Sequence, residues 1–373
     1  MQQQSTTRAA RLTTALTVAI VLAFGGIAAA ETIRVPQDAN SIQAAVDRAT
    51  AGDLIVIRAG TYDENVVIDL KSNLDIKGKG KVVINGDVNG AALAILDSNA
   101  VSISGLRVSN SRGGPAIRIA NAADIVITKC RVLRSSAEGI RTDACERIEI
   151  SRCRIQDTGD DGIGLSVSNG PGPTNNSLIT KCVFINCGDD AVDLHGDDNI
   201  ISRCKVVSTD EDGFEVDSDA GGTRNQFIQC RVSGVPGVGF SINGTSNTLL
   251  KCSVKKSGDD AFSIRDSFNR LERCKAIAPD FDGFYVPSDD NEFIKCVANK
   301  PGDDGFDIEG SGNKCQDNVV KKAQDNGFEV NARGNSFKGD RASKSGAFDL
   351  DDTASGNSYS ETRFGTERIA DTE

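Results

Sequence analysis

The 373-residue chain has no Trp, one Met, one His, three Tyr and eight Pro, and only 5% of its residues are aromatic. So few rings fill one large globular core poorly and suit thin stacked layers. No Cys occurs before Cys130, which excludes a lipid-bearing Cys at the N-terminus. There is no run of Lys or Arg, and the net charge is −11. That balance argues against nucleic acid as a partner. Beyond residue 30 no stretch is long and apolar enough to span a membrane.

The first 30 residues read as a signal peptide. Arg8 and Arg11 form a basic start, residues 12–27 are mostly apolar, and Ala28, Ala29 and Ala30 offer a small-residue cleavage site. Thr13, Thr14 and Thr17 interrupt the apolar run and argue against a retained anchor. Cleavage after Ala30 would leave a secreted, periplasmic or cell-surface protein with no membrane contact. The chain has eleven Cys, an odd number, so at least one thiol is unpaired within it.

What the chain has in quantity is Gly, 38 of them, and a repeat. A bulky residue preceded by Gly or Ala recurs at Ile95, Ile117, Ile140, Ile163, Val192, Phe214, Phe240, Phe262, Phe284, Phe306, Phe328 and Phe348. Most steps are 22 or 23 residues. The small residue marks a tight corner or a close backbone approach. A second column, Asn199, Asn225, Asn247, Asn269, Asn291, Asn313, Asn335 and Asn357, is strictly spaced by 22 after Asn225. Asn suits turns, and stacked amides can bond to one another from coil to coil. A third column is Cys130, Cys153, Cys182, Cys204, Cys230, Cys252, Cys274 and Cys296, continued by Asn318 and Asp340. Period two places Cys252 on the inward face with Leu250 and Val254, as small buried free thiols. Cys145, Cys187 and Cys315 lie off this column and are the thiols expected to be exposed or paired.

Strands and turns every 22 residues, with no helix between, predict an all-β fold: a right-handed parallel β-helix, a solenoid of about twelve coils, each of three short strands and three turns. The period is about half that of a propeller blade, and the Leu-x-x-Leu-x-Leu signature of leucine-rich repeats is missing. The expected organisation is a signal peptide over 1–30, a helical cap and first coils over 31–90, coils over 91–357, and a C-terminal cap or tail over 358–373. Residues 41–50 read as one amphipathic helix with Ile42, Ala45, Val46 and Ala49 on one face, a plug for the open end of the stack.

Ile33, Arg34, Val35 and Pro36, then Ser41 to Val46, Gly52-Asp53, Ala59 to Tyr62 and Glu64 resemble the opening of pectin-lyase-like β-helix proteins. The coils resemble that superfamily's repeats over nearly all of 31–357. The resemblance implies the fold and a choice of functions: polysaccharide lyases, glycoside hydrolases, esterases, epimerases, phage tailspikes, and members without activity. Asn186 to Val192 resembles the Gly-Asp-Asp segment of polygalacturonases, which implies acid/base roles for Asp189 and Asp190. That family's Gly-His-Gly and Arg-Ile-Lys segments are missing here. The pair also recurs at Asp259-Asp260 and Asp303-Asp304, which points to a turn role.

The residue after each bulky one points outward. The outward columns then gather Asp193, His195, Glu215 and Asp217 into one acidic cluster, and Asp307, Glu309, Glu329, Asp349 and Asp351 into another. Three readings stay open: a solvated acidic face; Ca²⁺ held by Asp193, Glu215, Asp217, Asp307, Glu329 or Asp349; and a carboxylate pair for glycoside cleavage, with Asp189, Asp190, Asp193, His195, Glu215 and Asp217 as candidates. His195 itself reads more readily as an exposed surface residue. Arg265 is the one base of its column, similar in type to the Arg base of pectate lyases. Longer turns before Val192 and after Phe214 flank the first cluster and favour it as the site. The expected function is binding or processing of an extracellular polysaccharide or cell-surface glycan, by lyase or hydrolase chemistry, with a non-enzymatic structural or adhesive role as the alternative.

Overall fold

The computed structural model describes residues 29–87, 90–165, 172–217 and 221–370. The signal peptide falls almost wholly outside them, as do parts of both enlarged turns. No helix among the described residues is long and apolar enough to cross a membrane.

The chain winds as a parallel β-solenoid. One coil shows the plan: strands Phe262–Ile264, Arg270–Glu272 and Lys275–Ile277, with a corner after each. First strands of successive coils stack into a 14-stranded parallel sheet, and the other two join a 25-stranded sheet that wraps the remaining faces. There are thus about two more coils than the dozen expected, because the coils already begin within residues 54–111. At the other end, Ser358–Ser360 and Glu367–Ile369 pair with the preceding coil, so residues 358–369 extend the sheets.

The helix spans Ile42–Arg48. Ser41 caps it by accepting from the Ala44 amide at 3.0 Å, and the Glu64 carboxylate takes the Ile42 and Gln43 amides at 2.9 and 3.0 Å. Its buried side, Ile42, Ala45 and Val46, closes the apolar end of the stack.

Inside the stack the bulky column is continuous. Phe214, Phe240, Phe262, Phe284, Phe306 and Phe328 stack with centroids 4.4–5.2 Å apart and planes within 6–19° of parallel. At both ends the true column lies two residues from the expected one. Leu93 pairs with Ile117, and Leu350 pairs with Phe328. Phe348, a small-residue-then-ring decoy, is half-buried beneath the Arg368 guanidinium.

The Asn column is a ladder of side chain to main chain, not of amide to amide. Asn225, Asn247, Asn269, Asn291, Asn313, Asn335 and Asn357 each accept, through Oδ1, the backbone N–H of the Asn one coil before, at 2.7–2.8 Å. Asn247 Nδ2 also donates to the Gly222 carbonyl at 2.8 Å. The residue is fully buried, so Asn247→Ala would leave the Asn225 N–H without a partner. We expect a loss of about 1–3 kcal/mol in denaturant unfolding; a loss below about 0.5 kcal/mol would show that the ladder is dispensable.

All eleven Cys are free and buried, including Cys145, Cys187 and Cys315, which were expected to be exposed or paired. Cys315 sits on a strand in the inward column with Phe293 and Phe337. Cys145 fills another corner, and Cys187 ends strand Val183–Cys187. Period two also fails beside the Cys column: Leu249, not Leu250, faces inward with Val254. Lys251 takes φ of 56°, and this left-handed residue turns the corner that brings Cys252 back inside. The Cys252 thiol then points at the Phe227 carbonyl, 3.3 Å away.

Candidate functional site

The 14-stranded sheet carries both outward columns. Over the middle of the rod its leading corner is built by a recurring pattern: Asp, then Gly or Ala, then the bulky residue. Asp161, Asp190, Asp212, Asp260, Asp282 and Asp304 hold this place, with Asn326 continuing it. Each carboxylate staples its coil to the next. Asp190 accepts the Asp212 amide at 2.7 Å, Asp212 that of Val238 at 2.7 Å, and Asp282 that of Asp304 at 2.8 Å. The Asp ladder thus bonds forward along the chain, while the Asn ladder accepts from the coil behind. Asp190 belongs to this corner, and Asp189 projects beside it with Asp160 and Asp161, their oxygens within 4.8 Å.

Burial raises these carboxyls. Asp161 is pushed up to about 9, by burial first and then by Asp193 and Asp160. Asp282 reaches about 8, and Asp189, Asp212 and Asp260 about 6, in each case chiefly through burial.

Above Asp190, strands Val192–Leu194 and Phe214–Val216 pair so that Asp193 and Glu215 are neighbours. The carboxyl of Glu215 reaches across to that of Asp190; Asp190 is raised by burial first and then by Asp212 and Glu215, while Glu215 is raised by burial with the Asp190 contact opposing. Two carboxyls in hydrogen-bond contact hold one proton between them. His195 Nε2 lies 2.9 Å from Asp193 Oδ2, and His195 Nδ1 lies 4.0 Å from Asp217 Oδ2. His195 is only 6% exposed, so it is not the surface residue expected. Its pKa is raised, first by the Asp193 hydrogen bond, with burial opposing. One coil further, Asn243 Nδ2 approaches Glu215 Oε1 at 3.4 Å. The structure therefore brings together Asp190, Asp193, His195, Glu215 and Asp217, with Asp189 at the rim.

The second cluster repeats the arrangement. Asp304 of the corner ladder meets Glu329 one coil on; burial and then the Glu329 carboxyl raise Asp304, and the same contact holds Glu329 low. Asp307 is pushed up to about 7, by burial and then by Glu309 and Glu329. Asp349 does not belong here. It is buried in the final corner, accepting the Gly365 amide at 2.9 Å, and Asp351 takes the place beside Glu329. The two-residue slip at Phe348 carried Asp349 into the wrong column. Asp351 is paired with Arg368 at 2.6 Å.

Between the clusters Tyr285 donates to Glu309 at 3.1 Å, and exposed Arg265 donates to Ser263 at 3.1 Å. Two rings outside the outward columns flank this stretch: Phe268, 63% exposed, on the corner after strand Phe262–Ile264, and Phe281, 54% exposed, on the corner before Phe284–Val286. Of the corner aspartates only Asp190 was a candidate from the sequence; Asp260 and Asp304 were read as turn residues, and Asp161, Asp212 and Asp282 were not singled out. The Asp-small-bulky spacing of 22 residues, read as one column, would have found them.

A family model described as right handed beta helix region matches residues 60–221 and 219–364. The chain belongs to the right-handed β-helix family. Solved structures similar to this β-helix include tailspike protein 3 of Bacteriophage CBA120, at TM-score 0.62 and 14% identity. The likeness covers 88% of the β-helix chain and 58% of the tailspike chain, so the β-helix spans little more than half of that protein. The receptor binding domain of the Siphovirus 9NA tailspike matches at TM-score 0.54 and 12% identity, over 92% of this chain and 76% of that one. A catalytic domain of a GH87 alpha-1,3-glucanase, solved in complex with tetrasaccharides, matches at TM-score 0.56 and 12% identity, over 92% and 68%. At these identities the likeness is one of fold. No curated protein matches the chain.

Proposed function

We propose that this exported β-helix binds a polysaccharide along its 14-stranded sheet and hydrolyses it at the Asp190–Glu215 pair. The observation that carries the reading is the strand pairing that sets Glu215 beside Asp193, with the corner carboxyl of Asp190 against Glu215 and burial raising both members of that pair. Glycoside hydrolysis needs a carboxyl acid that keeps its proton and a second carboxylate close by. Glu215, the outward member, is the acid for the leaving oxygen. Asp193 is the facing carboxylate, and His195 keeps it oriented. Tyr285, Phe268 and Phe281 offer ring faces against which sugars stack. The fold shared with a glucanase and two tailspikes agrees with a glycan lying along the rod.

The acidic face favours a neutral glycan. An anionic one would need a divalent cation such as Ca²⁺ between polymer and protein. In Glu215→Gln the amide can still bond to Asp190 while losing the acid function. Its hydrolysis of neutral glucans is expected to fall about 10²–10⁴-fold with binding retained. Equal turnover by the variant would remove the proposed acid. One observation favours a second reading: the same Asp–Glu contact recurs at Asp304–Glu329, away from any His, as a coil staple would. Wild-type protein that binds glycans and cleaves none would establish the adhesive alternative.

A further inference from the structure

His195 is the only histidine of the chain, and its surroundings fix its ring. The Asp193 carboxylate can only accept, so the Nε2 that faces it at 2.9 Å carries the proton. Nδ1 then presents a lone pair. That atom is buried and has no hydrogen-bond partner, in a side chain 7% exposed. It faces a carboxylate oxygen of Asp217 across 4.0 Å. The gap is too wide for a hydrogen bond, and a side-chain shift of about 0.7 Å would bring the two atoms to the roughly 3.3 Å that separates ligands of a tetrahedral ion with bonds of about 2.0–2.1 Å. One coil further along the same column, Asn243 Oδ1 is a second buried acceptor without a partner, because Nδ2 is turned to Glu215. Two buried acceptors without a partner, in one column with a carboxylate between them, favour a cation.

We infer that His195 Nδ1 and Asp217, with Asn243 Oδ1 beside them, form a site for one divalent transition-metal ion, with Asp193 as the positioning carboxylate behind the imidazole. A ligating imidazole whose other N–H is held by a carboxylate is how such ligands are oriented and made more basic. Ca²⁺ takes oxygen donors, whereas an imidazole with a carboxylate suits Zn²⁺ and its neighbours. The acidic groups Asp160, Asp161 and Asp189, and Asp303, Asp304 and Asp325, contain no nitrogen donor. This inference stands on ring geometry alone and is tested without any carbohydrate.

A single His makes the test direct. In full-length protein labelled with ¹⁵N-histidine, the two ring nitrogens give one pair of resonances. We expect one equivalent of Zn²⁺ at about pH 8 to shift Nδ1 while Nε2 keeps its proton, and Ca²⁺ to leave both unmoved. Asp217→Asn should abolish the shift, and Asp193→Asn should weaken Zn²⁺ binding about 10–100-fold. Zn²⁺ taken up by the buried thiols would not move Nδ1. An Nδ1 resonance unmoved by Zn²⁺, or moved equally by Ca²⁺, overturns the site, and the wild-type titration alone decides this if the variants fold poorly.

Discussion

Phe284→Ala is expected to cost about 3–5 kcal/mol, measured by denaturant unfolding. The ring is fully buried, stacked 4.9 Å from Phe262 and 4.4 Å from Phe306, and edge-on to Phe293 at 6.1 Å. Removing it deletes the transfer term and two stacking contacts, and opens a cavity in the middle of the column. The cavity cannot collapse, because the strands either side are held in register by the sheet and by the Asn and Asp ladders. The internal control is Phe268→Ala. That ring is 63% exposed on a corner, and its loss should stay within about 0.5 kcal/mol. A Phe284→Ala loss below about 1.5 kcal/mol would mean that the rings are not the core of the rod.

The second large effect is on pH. Asp161, Asp282, Asp307 and Asp340 are pushed up to about 9, 8, 7 and 7, chiefly by burial. An unfolded Asp titrates near 3.9. Between that value and the raised ones the folded state holds protons that the unfolded state has lost. Stability therefore falls as pH rises through this window. His195, also raised, adds in the same direction, because the stability from its Asp193 contact fades as it loses its proton. The opposing groups are few. Asp53, held low by the Glu31 and Thr50 amides, loses its contribution only in stronger acid. The unfolding midpoint should thus peak at about pH 4–5 and decline steadily to about pH 9. Asp282→Asn should flatten that decline and raise the midpoint at alkaline pH, since Asn fills the same ladder place at Asn326. A midpoint that rises between pH 5 and 8 would contradict the burial of these acids.

The repeat was legible because each coil repeats its constraints. Ring, Asn and Cys columns could be read from spacing alone, and so could the capping helix. Three things were not. The corner at Lys251 is left-handed, and a single residue at positive φ resets the inward phase that strict alternation assigns to Leu250. At the ends, Ala92-Leu93 and Ala94-Ile95 carry the same small-then-bulky signature and Leu350 follows Asp349 instead of a small residue, so Ile95 and Phe348 drew the column two residues off and Phe348 took Asp349 with it. Cys145 and Cys187 are buried because a corner and a strand end each have an inner side. In the site, Asp193, His195, Glu215 and Asp217 were read from the outward columns. Asp161 and Asp212 were not, since a corner Asp looks like turn chemistry until its carboxyl is seen to meet the sheet. The burial of His195 also escaped, because neighbours from three coils enclose it.

The central claim is that a glycan lies along the 14-stranded sheet across Asp190, Asp193 and Glu215. The most direct measurement is a crystal structure of Glu215→Gln soaked with neutral glucan oligosaccharides. We expect sugar density running across strands Val192–Leu194 and Phe214–Val216, with a glycosidic oxygen within hydrogen-bond reach of the Glu215→Gln side chain. Density confined to another face of the solenoid, with this sheet bare, would contradict it.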